Sequence, residues 1–380
     1  MGNPVSYDSR VLRETSAMLN EGLFGDVQVC GLLETGYDEF DLIERKPIWR
    51  VPLLTRRLPK DLVAQGVKYL EWYHRIISKY RSHPIGVIHC HDLSPLPIAT
   101  RLKKLTGARL VYDSHELQTE TYGMSGVRQK LARLAERKLI PLVDVMITVS
   151  PSIRRWYADR YPHVPIHVLR NIPDATYAQN SRPFPLREKL KVPEESLLFI
   201  YLGGLNRGRG IETALQAFGD DRVSHHVLFM GQGPLRSLIE NQRLKCTKIH
   251  YLPAVPPEDV LQYTAGADVG LCLYQDTCLN HRYCLPNKLF ETISAGLPVL
   301  ASNLPDQASL VTHYDAGWII DDDIESVIQG LSRISTLEAK QKRQGLSDRT
   351  GDLTWSKESR VLIEIYRDLV QGQASVCEPA

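Results

Sequence analysis

Short apolar runs alternate along the chain with longer stretches whose apolar residues return every three or four positions. The runs VQVCGL (27–32), GVIHCHD (86–92), RLVYDSHE (109–116), VDVMITVS (143–150) and IHVLR (166–170) read as strands ending in polar tips. A second series follows with LLFIYLGG (197–204), VLFMGQGP (227–234), KIHYLPAV (248–255), ADVGLCLY (267–274) and LPVLAS (297–302). Between them the spacing predicts helices. Val11, Leu12, Thr15, Met18 and Leu19 mark the first, and residues 58–82 form a long amphipathic one with Leu62, Tyr69, Trp72, Ile76 and Ile77 on its apolar side. Others cover 127–140, the stretch opening at Pro151, IETALQAF, IESVIQGLSRI and 355–370. Strand–helix–strand units of this length require parallel pairing, so the fold class is α/β with doubly wound parallel sheets. Such a domain should open on a strand, yet only Met1 and Gly2 precede the loop into the first helix. Either that strand is absent or the true start lies upstream.

The two series suggest two domains, and 380 residues suit two cores of ordinary size. Asn171–Pro173 looks like a crossover and the stretch to Pro193 is rich in proline and polar residues, which places the boundary there: 1–172 and 173–355. Net charge is only +2 but unevenly spread, because residues 51–140 carry 16 Lys/Arg against 7 Asp/Glu. A basic half suits an anionic membrane surface or a phosphorylated acceptor, or is simply a solvated surface. The helix of 58–82 is the first candidate for a membrane face, with packing on a core as the alternative. No run approaches the roughly 20 apolar residues needed to span a bilayer, and no signal peptide is visible. The seven cysteines show no CxxC or zinc spacing and read as reduced thiols of a cytoplasmic protein.

Candidate chemistry gathers where strands end and helices begin. In Tyr283–Gly296, Pro286 suits the first helical position and Gly296 the stop. Lys288 and Glu291, three apart, reach back towards the helix mouth, where free N–H groups and the positive dipole end would hold a phosphate. This suggests a nucleotide, with Lys288 near its diphosphate and Glu291 on ribose hydroxyls; the alternative is a surface ion pair on an ordinary helix. His91, Asp92, Asp113, His115 and Glu116 fall at adjacent strand tips, where ligands of parallel sheets sit. Gly203, Gly204, Gly208 and Gly210 surround Arg207 and Arg209, a turn through which backbone and guanidinium forks can approach a phosphate. The run Asp321–Asp323 precedes a helix and reads as capping rather than as a metal site.

In this order DSRVLRE, HCHD, VYDSHE, ITVSPS, LGGLNRGRGIE, MGQGP and LPNKLFETISAGLPVLAS resemble segments of glycosyltransferase family 4, retaining nucleotide-sugar transferases of the GT-B fold. The resemblance implies two Rossmann-like domains facing across a cleft, the first binding acceptor and the second donor, with 356–380 packing back on the first. It makes Glu291 the second Glu of the family's E-x7-E element; the first is replaced by Tyr283. Arg209 matches the basic residue of a phosphate clamp whose earlier Arg corresponds to Gly204, so Arg207 or Lys288 would supply the second charge. His115 matches a histidine near the reaction centre. Donor contacts are implied for Gly203, Gly231, Gly233, Val255, Cys284, Leu285, Asn287 and the mouth around Pro286, and acceptor contacts for His91, Asp92, Asp113 and Glu116. Also implied are a UDP-sugar donor, a glycan or lipid-linked acceptor in cell-surface polysaccharide or glycoconjugate synthesis, and no metal or cofactor. The place of work would be cytoplasmic, peripheral on the inner membrane face, with no nucleic-acid partner. A GT-B sugar-nucleotide epimerase and a catalytically inactive sugar-nucleotide-binding protein are the alternatives.

Overall fold

A computed structural model describes residues 3–5, 8–43, 46–59, 61–174 and 182–371. Its contacts divide the chain into two units. The first comprises the described residues up to Thr119, then Gly123–Leu169 and the chain from Ser359; the second comprises Glu120–Tyr122 and Arg170–Glu358.

The first unit holds two separate sheets. Strands β1 (Val29–Leu32), β2 (Phe40–Ile43) and β3 (Lys46–Val51) form one in the order β1-β3-β2, with β1 parallel and β2 antiparallel to β3. Strands β4 (Val87–His91), β5 (Arg109–Ser114), β6 (Val145–Thr148) and β7 (Ile166–Val168) form the other in chain order, all parallel. Helical periodicity leaves β2 and β3 unannounced. Their shared stretch FDLIERKPIWRV mixes charge with apolar residues, and Arg50, fully buried, bonds the carbonyls of Pro4 and Asp38 and the Asp41 carboxylate. The helix expected over 58–82 runs Leu62–Tyr80. Trp72 and Ile76 are buried on its inner side, but Leu62 is not: with Val63, Val67 and Leu70 it lies on an exposed apolar face. In the first turn it is Ala64, two residues on, that is buried, and Leu62 faces solvent.

In the second unit, strands β8 (Leu198–Leu202), β9 (His226–Met230), β10 (Ile249–Leu252), β11 (Val269–Cys272), β12 (Val299–Ser302) and β13 (Gly317–Ile320) form one parallel sheet. Every residue of β8, β9, β11 and β12 is buried, as continuous apolar runs covered by helices on both faces should be. The order is β10-β9-β8-β11-β12-β13. The chain therefore builds outward from β8 to β10, then returns to the other side of β8 with β11. Such a reversal opens a crevice at the carboxyl ends of β8 and β11. Strand β13 also escapes the periodicity reading, being only GWII and half-buried throughout.

The helix Trp355–Gln371 closes the described chain. Beyond Ser359 its Leu362, Ile365, Tyr366 and Leu369 pack with Met18, Val111 and Ile147 in the core of the first unit. The Asp321–Asp323 run is capping: Asp323 accepts from Ser326 N at 3.0 Å, and its neighbours bond Asn303 and Asp276.

Candidate active site

In the second unit the reversal point is where the glycine-rich turn sits. The turn leaves β8, and at Gly210 (φ +70°) it presses on the chain leaving β11: a Cβ there would lie 2.4 Å from Leu273 Cβ. The Gly208 carbonyl accepts from Gln275 N at 3.1 Å, and a Cβ on Gly208 would meet the His281 ring at 2.6 Å. The loop after β9 approaches as closely, since a Cβ on Gly231 would come within 1.9 Å of the Gly203 carbonyl oxygen. The segments carrying Gly203–Gly210, Gly231–Gly233 and Leu273–Lys288 thus meet at one end of the sheet. At Gly204 a Cβ would stand 3.0 Å from Arg209 Nη1. The guanidinium of Arg209 therefore lies against the space that a side chain at 204 would enter. Arg207 is exposed and Arg209 half-buried. Val255, partly buried just past β10, packs at the edge of the core cluster that holds Leu202 and Met230.

The helix opens as Asn287–Ser294. Pro286 is not its first helical residue but the extended residue before it (ψ 149°), whose carbonyl accepts from Leu289 N at 3.0 Å. Asn287 Oδ1 accepts from Asn171 at 2.8 Å, and Glu291 is half-buried one turn on. Lys288 is not a surface residue. Its ammonium is buried, has no hydrogen bond among the described residues, and stands 3.4 Å from the centroid of the Tyr201 ring and 5.1 Å from that of Tyr274. Burial, with Arg209 adding repulsion, pulls its pKa down to about 7. Aromatic faces stabilise a cation only partly, so the buried ammonium at this helix mouth carries an electrostatic cost that an anion would relieve. Tyr201, Tyr274 and His281 escaped the sequence reading. His281 is buried, bonded to Thr277 Oγ1 at 2.9 Å and stacked on Tyr122. The Cys272 and Cys284 thiols share Gln307, and burial pushes both upward, which keeps them neutral and unreactive.

In the first unit the strand-tip residues form a buried polar cluster. Arg10 clamps Asp113 through two bonds, Nε to Oδ2 at 2.8 Å and Nη2 to Oδ1 at 3.0 Å, and donates to the Leu169 carbonyl. Asp113 is fully buried, and although burial alone would raise its pKa, Arg10 and His115 hold it well below the usual carboxylate range. His115 Nε2 stands 3.1 Å from Asp113 Oδ2 and 3.1 Å from His91 Nδ1. Burial lowers both histidines, but the Asp113 charge and hydrogen bond outweigh it at His115 and lift that residue to about 9, while His91 stays well below its ordinary value. His115 is therefore an imidazolium that donates to neutral His91 and Asp113. Its Nδ1, 3.9 Å from Asp92, is on the more open side. Glu116 contributes a carbonyl to Ser114 Oγ. Arg10, Glu14, His89 and Tyr366 complete the cluster and were not anticipated, although Arg10 and Glu14 sit at i,i+4 in DSRVLRE. His89 Nδ1 lies 2.5 Å from Tyr366 Oη, and its ring stacks on His91.

Glu14, His89, His91 and Asp113 present ligand atoms within 4.8 Å of one another, close enough for a metal ion. Arg10 fits this poorly as a neighbour: its fork engages both Asp113 oxygens and lies 2.9 Å from Glu14. A divalent ion here would face a buried guanidinium that already neutralises the carboxylates.

Two parallel-sheet units with loops gathered at a strand-order reversal define a GT-B architecture. Family models agree: the Glycosyl transferase 4-like domain matches residues 9–172 and Glycosyl transferases group 1 matches residues 184–350. The chain belongs to the GT-B glycosyltransferase family of the family 4 type. The putative teichuronic acid biosynthesis glycosyltransferase TuaH of Bacillus subtilis is 22% identical over 274 residues, 69% of this chain. The chain's match spans 62% of the length of that curated relative. Among solved structures, sucrose-phosphate synthase from Thermosynechococcus elongatus superposes with a TM-score of 0.78 at 16% identity, over 96% of this chain and 93% of that one. Anabaena HepE, solved with UDP and glucose, gives 0.71 at 12% identity, covering 97% of each chain. WaaG, a glycosyltransferase of lipopolysaccharide biosynthesis, gives 0.68 at 17% identity, covering 98% and 97%.

Proposed function

We propose that the protein is a retaining glycosyltransferase that moves a sugar from a nucleoside-diphosphate sugar, UDP-linked by preference, to a glycan or lipid-linked acceptor in cell-surface polysaccharide or glycoconjugate synthesis. The observation that carries this is the buried Lys288 ammonium at a helix mouth, without a hydrogen bond among the described residues, in a unit whose Gly203–Gly210 turn brings Arg209 to the same end of the sheet. Breaking the anomeric C–O bond leaves charge on the departing diphosphate. Lys288, Arg209 and the backbone N–H groups around Asn287 stabilise that charge in the transition state, and Glu291 accepts from the ribose hydroxyls. A diphosphate neutralised in this way needs no divalent ion. In the retaining reaction the acceptor arrives on the face the phosphate leaves, and a phosphate oxygen takes its proton. His115, held cationic by Asp113, donates to a substrate hydroxyl rather than acting as nucleophile.

Activity is tested by incubating UDP-sugars with lipid-linked and soluble glycan acceptors, with and without chelator. Transfer that persists in chelator, keeps the anomeric configuration and is lost in Glu291→Ala, Arg209→Ala and His115→Ala agrees with the reading. Unchanged turnover in Glu291→Ala counts against it. Conversion of donor without acceptor would instead identify an epimerase, and binding without turnover a non-catalytic protein.

Membrane association belongs to the same reading. The helix Gly126–Leu139 exposes Val127, Leu131 and Leu134 beside Arg128, Lys130, Arg137 and Lys138, and the helix Leu62–Tyr80 exposes Leu62, Val63, Val67 and Leu70. Apolar residues among basic ones suit an anionic bilayer. No helix among the described residues is long and apolar enough to cross a membrane. Co-sedimentation with anionic but not neutral vesicles at low salt is the expected result.

A further inference from the structure

Near the carboxyl end of β8 one side chain, Tyr201, touches both parts of the donor mouth. The strand is LFIYL and its residues alternate between two cores: Phe199 and Tyr201 pack with Phe229 on one face, and Leu198, Ile200 and Leu202 pack on the other. A phenylalanine at 201 would fill the same space with no hydroxyl to satisfy. Here the hydroxyl reaches the glycine-rich turn and donates to the Gly204 carbonyl at 3.1 Å. Gly204 is the residue whose missing side chain leaves room for the Arg209 guanidinium. The ring of Tyr201, fully buried, has its centroid 3.4 Å from the Lys288 ammonium. Tyr274, just past β11, stands farther off, with its centroid 5.1 Å from the same ammonium and 5.9 Å from the Arg209 guanidinium carbon. Two cations therefore face two aromatic rings, and Tyr201 is the nearer to Lys288.

That ring matters because of what else surrounds the ammonium. The titratable groups facing it are Cys272 on β11, Arg209 in the turn, Cys284 ahead of the helix and Glu291 on the helix itself. Burial keeps both thiols neutral, Arg209 repels, and Glu291 is half-buried one turn on. A fully buried lysine without compensation falls to a pKa of about 5–6 and is neutral at pH 7. Lys288 instead stands at about 7. The negative face of a ring favours a desolvated cation by about tenfold or more in a protonation equilibrium.

We propose that Tyr201 is a positioning residue of the donor site: its ring carries the Lys288 ammonium, with and without the diphosphate, and keeps it charged near neutral pH. This rests on the diphosphate reading of the helix mouth. The hydroxyl ties the same ring to the turn that bears Arg209, so one side chain sets both cations relative to each other.

The test grades the ring without changing its shape. Tyr201→Phe is compared with proteins carrying mono-, di- and trifluorinated phenylalanine at the same position, since each fluorine weakens the negative face. Lysine labelled with 13C at Cε reports the titration of Lys288 in the free protein, its signal identified by loss in Lys288→Met. Tyr201→Phe should keep the wild-type midpoint, and three fluorines should lower it by about one pH unit. UDP should then bind about tenfold more weakly at pH 8 to the trifluorinated protein than to Tyr201→Phe, and within about twofold at pH 5.5, where both lysines are mostly charged. Melting temperatures should stay level across the series, so a role in core packing alone would move neither readout. A midpoint that ignores fluorination would overturn the proposal, as would one that falls in Tyr201→Phe as far as in the trifluorinated protein. Unchanged UDP affinity at pH 8 despite a lowered midpoint would overturn it too. Failure of the donor reading looks different: the wild type then binds UDP with no proton uptake, whatever the midpoints do, and the positioning role of Tyr201 falls with it.

Discussion

Lys288 gives the sharpest test of the donor site, because its proton is a reporter. With its pKa pulled down to about 7 by burial, the side chain is about nine-tenths neutral at pH 8 in the free protein. A diphosphate seated at the helix mouth supplies the missing anion and restores a pKa near the ordinary lysine value of about 10.4. Binding UDP at pH 8 should therefore take up about 0.9 proton per site, and at pH 6 only about 0.1. The phosphate itself contributes little at pH 8, which is well above its second pKa of about 6. Linkage then fixes affinity: between pH 7 and pH 9 the dissociation constant should weaken by about fifty-fold, the cost of protonating an increasingly neutral amine. Titration calorimetry at pH 8 in HEPES and in Tris gives the proton count as the slope of observed enthalpy against buffer ionisation enthalpy. Lys288→Met should bind more weakly at pH 7 and show no slope. If the wild type binds UDP with no proton uptake, the ammonium does not meet the diphosphate, and the donor assignment at this mouth fails.

Four further outcomes follow from the geometry. His115 is raised to about 9 against an unfolded value near 6.5, so its contribution is fully present below about pH 6.5 and disappears as pH climbs through about 9. The shift corresponds to about 3 kcal/mol, and urea unfolding at pH 6 and pH 9.5 should show the wild type losing that much more than His115→Gln. Asp113→Asn leaves Arg10 buried without its bidentate partner and should cost about 3–5 kcal/mol in denaturant, with loss of the first unit's fold ahead of the second's. Gly231→Ala drives a methyl to 1.9 Å from the Gly203 carbonyl oxygen and should destabilise by more than about 2 kcal/mol. Gly203→Ala, which meets only the backbone penalty of φ +95° in open space, should cost about 1–2 kcal/mol.

How far the sequence reveals this molecule depends on whether a feature is local. The strands of the second unit are legible because their runs, such as LFIYL and HVLFM, are buried on both faces and bounded by glycine or proline. The glycine turn and the helix mouth are legible because turn residues and spacing mark them. β2, β3 and β13 are not, since a half-buried or charge-bearing strand of four to six residues shows neither helical periodicity nor an unbroken apolar run. Leu62 failed for a related reason: its position matched the apolar stripe, but the first turn buries Ala64 and leaves Leu62 in solvent. The candidate site was half visible. Residue types at strand tips pointed to His91, Asp113 and His115, yet the residues that set their charge come from elsewhere. Arg10 is 103 positions from Asp113, and Tyr366 is 277 from His89.

The same non-locality excludes the surface ion pair as a reading of Lys288, which is buried. By spacing alone, Lys288 and Glu291 make an unremarkable i,i+3 pair on a helix surface, worth a few tenths of a kcal/mol. What changes its character is Tyr201, the fourth residue of β8, some ninety positions earlier, whose ring lies 3.4 Å beneath the ammonium. A solvated lysine would keep its ordinary pKa and its hydration; this one has lost both, at a cost the helix Asn287–Ser294 could avoid with a leucine in the same place. The proposed donor site accounts for a buried cation where a hydrophobic side chain would pack more stably: a diphosphate seated there would supply the missing anion. The loops that meet around it, at Gly203–Gly210 and Gly231–Gly233, give that anion backbone to approach. The energetic cost that a donor diphosphate would offset is visible only in three dimensions.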